Sequence, residues 1–335
     1  MLTGIKKIHF IGIGGAGMSA LAKILVEKGY EVSGSDMKDS AMTAILRDLG
    51  ARVFIGHRAE NVRGAEAIVV SSAIREENPE VVEAARLGLK RLHRSDVNAF
   101  LINNSKGIAV AGAHGKTTTT SMIGVALDYE GVSPSIIIGG EVDYLGSNAK
   151  LGKSDYLVSE ADESDGTFLK YYPYIGIVTN IENDHMDHYG TMENIIKAFQ
   201  QFLSQVRPDG WAVVCADNEH VRSIIGDLKC QVVTYGIDHP ADYTAANIEA
   251  SSSYTAFDVI HNGDNLGRIK LNVPGIHNVL NAMACIVTGI ILGMNVDQMA
   301  EGLTMFNGAK RRFQTKGKVN GIWVVDDYAH HPTEI

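Results

Sequence analysis

The feature that most constrains how this chain folds is a glycine-rich segment between an apolar run and a helical segment. The apolar run covers 107–110 and the predicted helix 119–129, and between them lies Ala111-Gly112-Ala113-His114-Gly115-Lys116-Thr117-Thr118. A strand, a glycine turn with Gly-Lys-Thr and a helix form the layout of a phosphate-binding loop. Backbone N–H groups at the helix N-terminus and the Lys116 ammonium attract an anion, and the Thr117 hydroxyl suits Mg²⁺. The sequence therefore predicts an α/β fold with a nucleoside triphosphate site.

The loop departs from the common pattern G-x-x-x-x-G-K-[ST] at one position. Val110 stands where that pattern has glycine, and the glycine lies at Gly112 instead. The alternative is a turn that merely contains Gly-Lys-Thr, but the agreement of strand, turn and helix favours phosphate binding.

Composition excludes several classes of protein. With 335 residues we expect two or three domains, and 45% hydrophobic with 21% charged residues is typical of a globular protein. A net charge of -9 argues against nucleic acid or an anionic membrane surface as a partner. The sequence shows neither a signal peptide nor a membrane-spanning stretch, so no membrane insertion is expected. Cys215, Cys230 and Cys285 lack ligand spacing, which predicts reduced core residues of a cytoplasmic protein without a functional role.

A second glycine loop lies near the N-terminus. The predicted strand 8–13 runs into Gly12-Ile13-Gly14-Gly15-Ala16-Gly17, which fits G-x-G-x-x-G, and a helix over 18–28 and a strand over 31–36 ending in Asp36 follow. This is the dinucleotide fingerprint and by itself indicates NAD, although any diphosphate can bind such a loop. A further predicted strand, 67–72, ends in Ser71 and Ser72, which either contact a ligand or form a solvated strand end.

Acidic and imidazole groups follow two predicted strands after the phosphate-binding loop. The strand 156–159 runs into Glu160-Ala161-Asp162-Glu163-Ser164-Asp165, and the strand 175–180 runs into a segment that contains His185. Carboxylates held close together need a cation, which suggests Mg²⁺; the alternative is a charged surface turn. His185 is an unusual Mg²⁺ ligand, and alone it reads as a hydrogen-bonding structural group.

The C-terminal third supplies further polar candidates. A helix is predicted to begin near His277 and to reach about residue 293, and His277, Asn278 and Asn281 share one face of its first turns. Either the asparagine amides bind the edge of an adenine base, or Asn278 caps the helix. Lys310-Arg311-Arg312-Phe313 forms a basic cluster suited to a γ-phosphate. A strand over 322–325 precedes Asp326 and Asp327, and the chain stops where another βα unit is expected to begin, which suggests a truncated third domain.

Taken in order, these motifs resemble the Mur ligase family, the ATP-dependent amide ligases of peptidoglycan synthesis. The resemblance covers the whole chain, and its remaining motifs are Asn180-Ile181-Glu182, Asp184-His185-Met186-Asp187 and Asp326-Asp327-Tyr328 with His330-His331-Pro332. It implies an N-terminal Rossmann-like parallel-sheet domain that binds the UDP-substrate (1–104), a central P-loop ATPase-type α/β domain (105–318), and the start of a C-terminal Rossmann-like domain (319–335). Because that third domain is almost entirely absent, amino-acid selection and catalysis by this chain alone are in doubt.

The resemblance also implies roles for individual residues. The first glycine loop then holds the UDP diphosphate and not NAD, and the substrate-binding residues are Gly14, Gly15, Ala16, Gly17, Met18, Ser35, Asp36, Ser71 and Ser72. ATP binds to Gly112, Ala113, His114, Gly115, Lys116, Thr117, Thr118, His277, Asn278, Asn281, Arg312 and Asp327. Thr117, Glu160 and His185 hold Mg²⁺, and the catalytic residues are Lys116, Glu160, His185 and Arg312. Arg312 stabilises the transferring phosphoryl group, Asp327 contacts the ribose, and the amides contact adenine.

Within the family, Gly14-Gly15-Ala16-Gly17-Met18 resembles the branch that joins L-alanine to the carboxylate of UDP-N-acetylmuramate through an acyl phosphate. Three alternatives stay open at this point. One is the recycling ligase that joins a preformed peptide to the same UDP-sugar, the second an NAD-dependent oxidoreductase, and the third a non-catalytic UDP-sugar-binding module. The sequence leaves the oligomeric state unassigned.

Overall fold

The computed structural model of the chain describes residues 2–333 and 335. The chain divides into two compact units, the first comprising Met1–Leu101 with Asn148–Leu151 and the second Ile102–Ser147 with Gly152–Ile335. Both units are α/β in composition. The predicted fold class, a Rossmann-like parallel-sheet unit followed by a P-loop-type α/β unit, is confirmed.

The first unit contains a parallel five-stranded sheet in the order β3-β2-β1-β4-β5. Its strands are β1 (Lys7–Ile11), β2 (Glu31–Asp36), β3 (Arg52–Ile55), β4 (Ala67–Val70) and β5 (Lys90–His93). Its helices are α1 (Ala16–Glu27), α2 (Ala41–Asp48), α3 (Pro79–Arg86) and α4 (Arg94–Asn103), with a 3-10 turn at Ala59–Val62. The strand order reverses between β1 and β4, and open α/β sheets bind ligands outside the carboxyl ends of strands at such a point.

Two predicted strands of this unit, 8–13 and 67–72, extend two residues beyond the observed C-terminal ends of β1 and β4. β1 ends at Ile11 and β4 at Val70, so the glycine loop starts at Gly12 and both Ser71 and Ser72 lie beyond the strand. Both loops therefore lie at the carboxyl ends of the two strands that flank the reversal.

The second unit is built on a larger sheet, whose strands run in the order β15-β14-β13-β12-β11-β10-β6-β9-β7. The strands are β6 (Lys106–Ala111), β7 (Ser135–Val142), β8 (Ser147–Lys150, most of which groups with the first unit), β9 (Tyr156–Glu160), β10 (Ile175–Val178), β11 (Trp211–Cys215), β12 (Gln231–Gly236), β13 (Tyr243–Ala250), β14 (Thr255–His261), β15 (Asp264–Leu271), β16 (Gln314–Val319) and β17 (Ile322–Asp326). The helices are α5 (Lys116–Tyr129), α6 (Met186–Tyr189), α7 (Met192–Ser204), α8 (Glu219–Ser223), α9 (Ile276–Ile291) and α10 (Val296–Thr304), with 3-10 turns at Asp143–Leu145 and Thr167–Lys170.

The centre of this sheet positions the polar residues. β6 pairs in parallel with β9 on one side and with β10 on the other. Its residues Ile108, Ala109 and Val110 are fully buried, as expected of a parallel strand covered on both faces. Because the carboxyl ends of parallel strands meet at one edge, the segments that follow β6, β9 and β10 come together there. After residue 243, β13, β14 and β15 pair antiparallel at the far edge of the sheet.

Near the C-terminus the structure differs from expectation. The predicted strand over 322–325 is present as β17, and it pairs antiparallel with β16 in a hairpin that the sequence did not predict. β16 was not predicted, because Gln314–Val319 alternates weakly and has only one large apolar residue, Val319.

The three cysteines lie in the interior with free thiols, which confirms their predicted core positions. Burial raises the pKa of the Cys215 thiol to about 11, so it stays protonated and unreactive at neutral pH. In the described part of the chain, every helix is too short or too polar to cross a membrane.

Candidate active site

The phosphate-binding loop needs glycine at two positions for steric reasons. Gly112 has φ +141° and Gly115 has φ +83°, a region that L side chains rarely adopt. A Cβ atom at Gly112 would lie 2.0 Å from Thr179 Oγ1, and one at Gly115 would lie 2.5 Å from Asn281 Oδ1. Val110, which stands where the common pattern has glycine, is a buried residue of β6. Position 110 therefore lacks glycine because it still belongs to β6, and the turn begins only after the strand ends at Ala111.

The end of β10 holds the loop in shape. The amides of Ala113 and His114 donate to the backbone oxygen and the Oδ1 atom of Asn180, at 3.2 and 2.8 Å. The His114 carbonyl accepts from Thr179 Oγ1 at 2.7 Å and from Asn180 Nδ2 at 3.0 Å. These two loop amides are thus engaged within the protein. The donors that can meet an anion are the first-turn N–H groups of α5, at Lys116, Thr117 and Thr118, since such groups have no acceptor inside the helix.

Lys116 lies over the loop. Its Nζ atom donates to Gly112 O at 2.6 Å, to Ala113 O at 3.1 Å and to Glu163 Oε1 at 2.7 Å. Burial opposes the charge on Lys116, but the attraction of Glu163, Asp162 and Glu160 outweighs it and raises the lysine pKa. The loop therefore carries a fixed positive charge directly before the helix N-terminus.

Glu163, the partner of Lys116, is almost completely buried, with 3% of its surface exposed. Burial raises the pKa of this carboxyl to about 7, against the pull of Lys116. Its Oε2 atom is buried and has no hydrogen-bond partner among the described residues. The sequence placed Glu163 in the acidic segment but assigned it no role.

Glu160 supplies oxygen donors next to Thr117. Its Oε2 atom accepts from Thr117 Oγ1 at 3.1 Å, and its Oε1 atom accepts from the Gly139 amide at 2.6 Å. Burial raises the pKa of Glu160, while the Gly139 hydrogen bond and the charges of Lys116 and Arg312 oppose the rise. A hydroxyl and a carboxylate side by side at a phosphate-binding loop form an oxygen donor set that Mg²⁺ prefers.

His185 lies at the start of α6 with φ +56°. Its Nε2 atom is 3.7 Å from Glu163 Oε1 and 3.5 Å from Asp184 Oδ2. The resemblance assigns His185 and Glu160 to Mg²⁺, and in the structure the imidazole also lies close to the carboxylates of Glu163 and Asp184. The imidazole thus lies on the Lys116–Glu163 side of the loop.

The two asparagines at the start of α9 are buried and linked to α5. Thr119 Oγ1 donates to Asn281 Oδ1 at 3.0 Å, Asn281 Nδ2 donates to Asn278 Oδ1 at 3.2 Å, and Asn278 Nδ2 donates to Pro274 O at 2.7 Å. The N-cap of α9 is Gly275, which has no side-chain cap. Asn278 therefore does not cap this helix. His277 lies exposed on the same turn.

The basic segment is tied to the residues that follow β17. Asp327 accepts from the Phe313 amide at 2.6 Å and from the Ala329 amide at 2.7 Å. The guanidinium of Arg312 lies 5.6 Å from the centre of the Tyr328 ring. Asp327 thus fixes the backbone next to Arg312, whose positive charge also opposes the rise of the Glu160 pKa.

In the first unit, β2 holds the glycine loop. The Gly12 and Ile13 amides donate to Ser35 O at 2.8 and 2.9 Å, and the Gly14 amide donates to Asp36 Oδ2 at 2.9 Å. A Cβ atom at Gly14 would also lie 2.9 Å from Asp36 Oδ2, which explains the glycine there. α1 then starts at Ala16 behind the uncapped Gly15, and its first-turn N–H groups, which include those of Gly17 and Met18, have no acceptor inside the helix, as at the start of α5.

The serines of the first unit differ in their access. The Ser35 hydroxyl is buried and donates to Glu80 Oε2 at 2.5 Å. Glu80, itself fully buried, also accepts from Asn61 Nδ2 at 2.6 Å. Ser71 and Ser72 lie after β4, with Ser72 Oγ 3.3 Å from His93 Nε2. Ser35 thus faces the interior and supports the loop through its backbone carbonyl.

Comparison with known proteins identifies the family. The description "Mur ligase family, catalytic domain" matches residues 7–106, and "Mur ligase middle domain" matches residues 110–289. A UDP-N-acetylmuramate–L-alanine ligase from Desulforamulus reducens is 52% identical over 333 residues, 98% of this chain and 72% of the relative. One from Pelotomaculum thermopropionicum is 50% identical over 98% of this chain and 72% of its own length.

Solved structures agree with these sequences. A UDP-N-acetylmuramate-alanine ligase from Thermotoga maritima superposes with a TM-score of 0.85 at 34% identity, covering 98% of this chain and 75% of that one. The UDP-N-acetylmuramate:L-alanyl-gamma-D-glutamyl-meso-diaminopimelate ligase from Neisseria meningitides gives 0.82 at 30% identity, covering 92% of this chain and all of that one. With both family descriptions matched in order and relatives at this identity over nearly its whole length, the chain belongs to the Mur ligase family.

Proposed function

We propose that this chain carries the nucleotide and UDP-sugar sites of an ATP-dependent ligase. The ligase joins L-alanine to the carboxylate of UDP-N-acetylmuramate and releases ADP and phosphate. The observation that carries the proposal is the helix end at Lys116, with the Glu160 carboxylate 3.1 Å from the Thr117 hydroxyl. Relatives that are 52% and 50% identical bear the name of this activity.

The donor set fits ATP with Mg²⁺. Thr117 and Glu160 offer adjacent oxygens, and His185 lies in the following segment as a further candidate ligand. When bound, Mg²⁺ neutralises phosphate charge and polarises the phosphoryl group. Lys116 and the first-turn amides of α5 bind the β- and γ-phosphates, and Gly112, Ala113, His114 and Gly115 shape the loop. Asn278, Asn281 and His277 contact adenine, and Asp327 contacts the ribose.

The reaction explains why so many positive groups are needed. A carboxylate is a poor electrophile, so the γ-phosphoryl group is transferred to its oxygen, which gives an acyl phosphate and ADP. The amine of L-alanine then attacks the carbonyl carbon, loses a proton, and phosphate leaves with the electrons of the C–O bond. Lys116 and Arg312 offset the repulsion between the two anions and stabilise the transferring phosphoryl group.

The UDP-sugar belongs in the first unit. Its diphosphate binds the N-terminal end of α1 at Gly14, Gly15, Ala16, Gly17 and Met18, with Asp36, Ser35, Ser71 and Ser72 around the loop.

The proposed domains are 1–104, 105–318 and 319–335. The cytoplasmic location remains a prediction made from the sequence.

The alternatives have less support. Among the solved structures, the one from Neisseria meningitides with the peptide-ligase name is 30% identical, against 34% for the alanine ligase from Thermotoga maritima. The curated relatives at 52% and 50% identity bear the alanine-ligase name. The hypothesis of an NAD-dependent oxidoreductase accounts only for the first glycine loop. Membership of the Mur ligase family accounts for that loop as well, so no observation is left that favours the oxidoreductase. The Lys116 loop and the Thr117–Glu160 pair favour a ligase over a binding module without catalysis.

Calorimetric titration of this chain with UDP-N-acetylmuramate, Mg²⁺-ATP and NADH tests the proposal. Saturable binding of the first two, with none of NADH, is expected. Binding of NADH without the UDP-sugar would return the chain to the oxidoreductases. Phosphate release, assayed on this chain extended to the full length of its relatives, should need both the UDP-sugar and L-alanine, with the Desulforamulus reducens relative as the positive control. Release with a tripeptide but not with L-alanine would favour the recycling ligase.

Replacement of one lysine locates the nucleotide. Lys116→Ala should weaken Mg²⁺-ATP binding by at least tenfold, about 1.4 kcal/mol, because the ammonium over the loop is lost. Lys153→Ala removes an exposed charge elsewhere in the same unit and should leave the affinity unchanged. Equal loss in both variants would mean that only long-range charge is involved.

A further inference from the structure

Beyond the proposed Mg²⁺ ligands, one group of three metal-ligating side chains stands out among the described residues. It consists of His114, Glu182 and His331, whose candidate ligand atoms all lie within 4.8 Å of one another. His114 Nε2 is 3.2 Å from Glu182 Oε2, and His331 Nδ1 is 3.9 Å from the same oxygen. None of the three is among the residues assigned to Mg²⁺.

The three side chains are held in place from different parts of the chain. His114 is fixed by the hydrogen bonds of its backbone to Thr179 and Asn180. Glu182 follows β10 and accepts from Thr333 Oγ1 at 2.8 Å. The Thr333 amide donates to the lone pair of His331 Nδ1 at 3.3 Å, and a metal ion at this nitrogen would take the place of that hydrogen bond. The side chains are only 13%, 28% and 21% exposed. Little side-chain entropy remains to be lost on binding an ion.

The donor chemistry selects the class of metal. Two imidazoles and one carboxylate are the ligands of open zinc sites, whereas Mg²⁺ and Ca²⁺ prefer oxygen donors alone. Bonds of about 2.0–2.1 Å in tetrahedral geometry place neighbouring ligand atoms roughly 3.3 Å apart. The His114–Glu182 distance of 3.2 Å already meets this value, and the 3.9 Å of His331–Glu182 needs a shift of less than 1 Å.

The trio also opens on a cavity. Glu182 and His331 line a space of about 400 Å³ together with Ile181, Asn183, Met192, Asn218, Glu219 and His220. A metal held by three protein ligands keeps a fourth position, and this cavity has room for a water or a small ligand there. The three fixed ligands and the adjoining space are the arrangement of an accessible metal site.

We propose that His114, Glu182 and His331 form a binding site for a divalent transition metal, with Zn²⁺ as the best match. The site is separate from the proposed Mg²⁺ ligands and does not depend on the proposed ligase activity. The bound ion joins the residue before Gly115 in the phosphate-binding loop to the segment after β17.

Titration with Co²⁺ in the presence of excess Mg²⁺ tests the site. Tetrahedral Co²⁺ absorbs strongly in the visible range, and Zn²⁺ should displace it. The expected result is one Co²⁺ per chain with a tetrahedral spectrum, and at least tenfold weaker binding in Glu182→Gln and in His331→Asn. His331 lies outside the helices and strands, so its replacement leaves the core intact.

Two matched variants complete the test. His220→Asn changes a histidine that lines the same cavity, and His185→Asn changes the proposed Mg²⁺ ligand. Both should bind Co²⁺ as the parent chain does. An octahedral spectrum without stoichiometric binding, unchanged affinity in His331→Asn, or loss of binding only in His185→Asn would each overturn the proposal.

Discussion

At the scale of single residues, Gly112 shows how sterics fix the phosphate-binding loop. Gly112→Ala places a Cβ atom 2.0 Å from Thr179 Oγ1 at φ +141°, so it should destabilise the second unit by at least about 2 kcal/mol. Gly131→Ala is the matched control, because Gly131 also has positive φ but nothing within 4 Å of the added atom.

Urea unfolding followed by tryptophan fluorescence measures this difference. Trp211 and Trp323 both lie in the second unit, so the signal reports on that unit. A loss in Gly112→Ala no larger than that in Gly131→Ala would show that the contact with Thr179 does not constrain the loop.

The Glu163 carboxyl predicts a pH dependence of stability. Its pKa is about 7 in the folded protein against an ordinary value of 4.5, so the folded state holds a proton that the unfolded state has released. Its stabilising contribution is therefore present at low pH and is lost as the pH rises through about 7. In Glu163→Gln this loss disappears, and the variant should gain stability relative to the parent chain between about pH 5 and about pH 8.

The measurement is urea unfolding across that pH range without nucleotide or divalent metal. Glu301→Gln removes one exposed carboxylate from α10 and serves as the control for net charge. A difference between Glu163→Gln and the parent chain that stays constant with pH would mean that Glu163 is ionised throughout.

At the scale of elements, β10 positions a loop that belongs to β6. Asn180→Ala removes the acceptor of the His114 amide and a donor to the His114 carbonyl, which leaves polar groups unpaired at a cost of about 1–3 kcal/mol. Mg²⁺-ATP affinity should fall roughly tenfold, because the loop loses its bound shape. Asn183→Ala, at an exposed position three residues further on, should leave the calorimetric affinity unchanged. Equal effects in both variants would contradict this support.

The same elements show what the sequence could and could not predict. The segment Glu31–Asp36 was predicted with its observed bounds, because its residues and flanking turns carry a local signal. The support that Asn180 gives to His114 depends on β6 and β10 being neighbours, which no local pattern contains. The Glu163–Lys116 pair likewise depends on β6 and β9 being neighbours in the sheet. The segment Gln314–Val319 forms the strand β16 because it pairs with β17. Local signals thus predict the candidate site, and tertiary pairing decides which side chains support its loop.

At the scale of the whole molecule, the negative net charge of the chain opposes the binding of the anionic ligands that the proposed function requires. A chain with net charge -9 is proposed to bind two anionic nucleotides, so the attraction has to be local. The ends of α1 and α5 provide it, because both helices begin behind glycines without side-chain caps and direct N–H groups outward. Under the proposed function, each unit therefore binds its anion at its own helix end.

This arrangement predicts which amides each ligand protects from hydrogen exchange. UDP-N-acetylmuramate should slow exchange over 12–18, and Mg²⁺-ATP should slow it over 112–119, since a ligand stabilises the segment it binds. NADH is the matched control: it carries a diphosphate and an adenine but should protect neither segment. The measurement is mass spectrometry of peptides after exchange with each ligand in turn. Protection of 12–18 by Mg²⁺-ATP and of 112–119 by the UDP-sugar would reverse the assignment, because the two helix ends would then have exchanged their ligands.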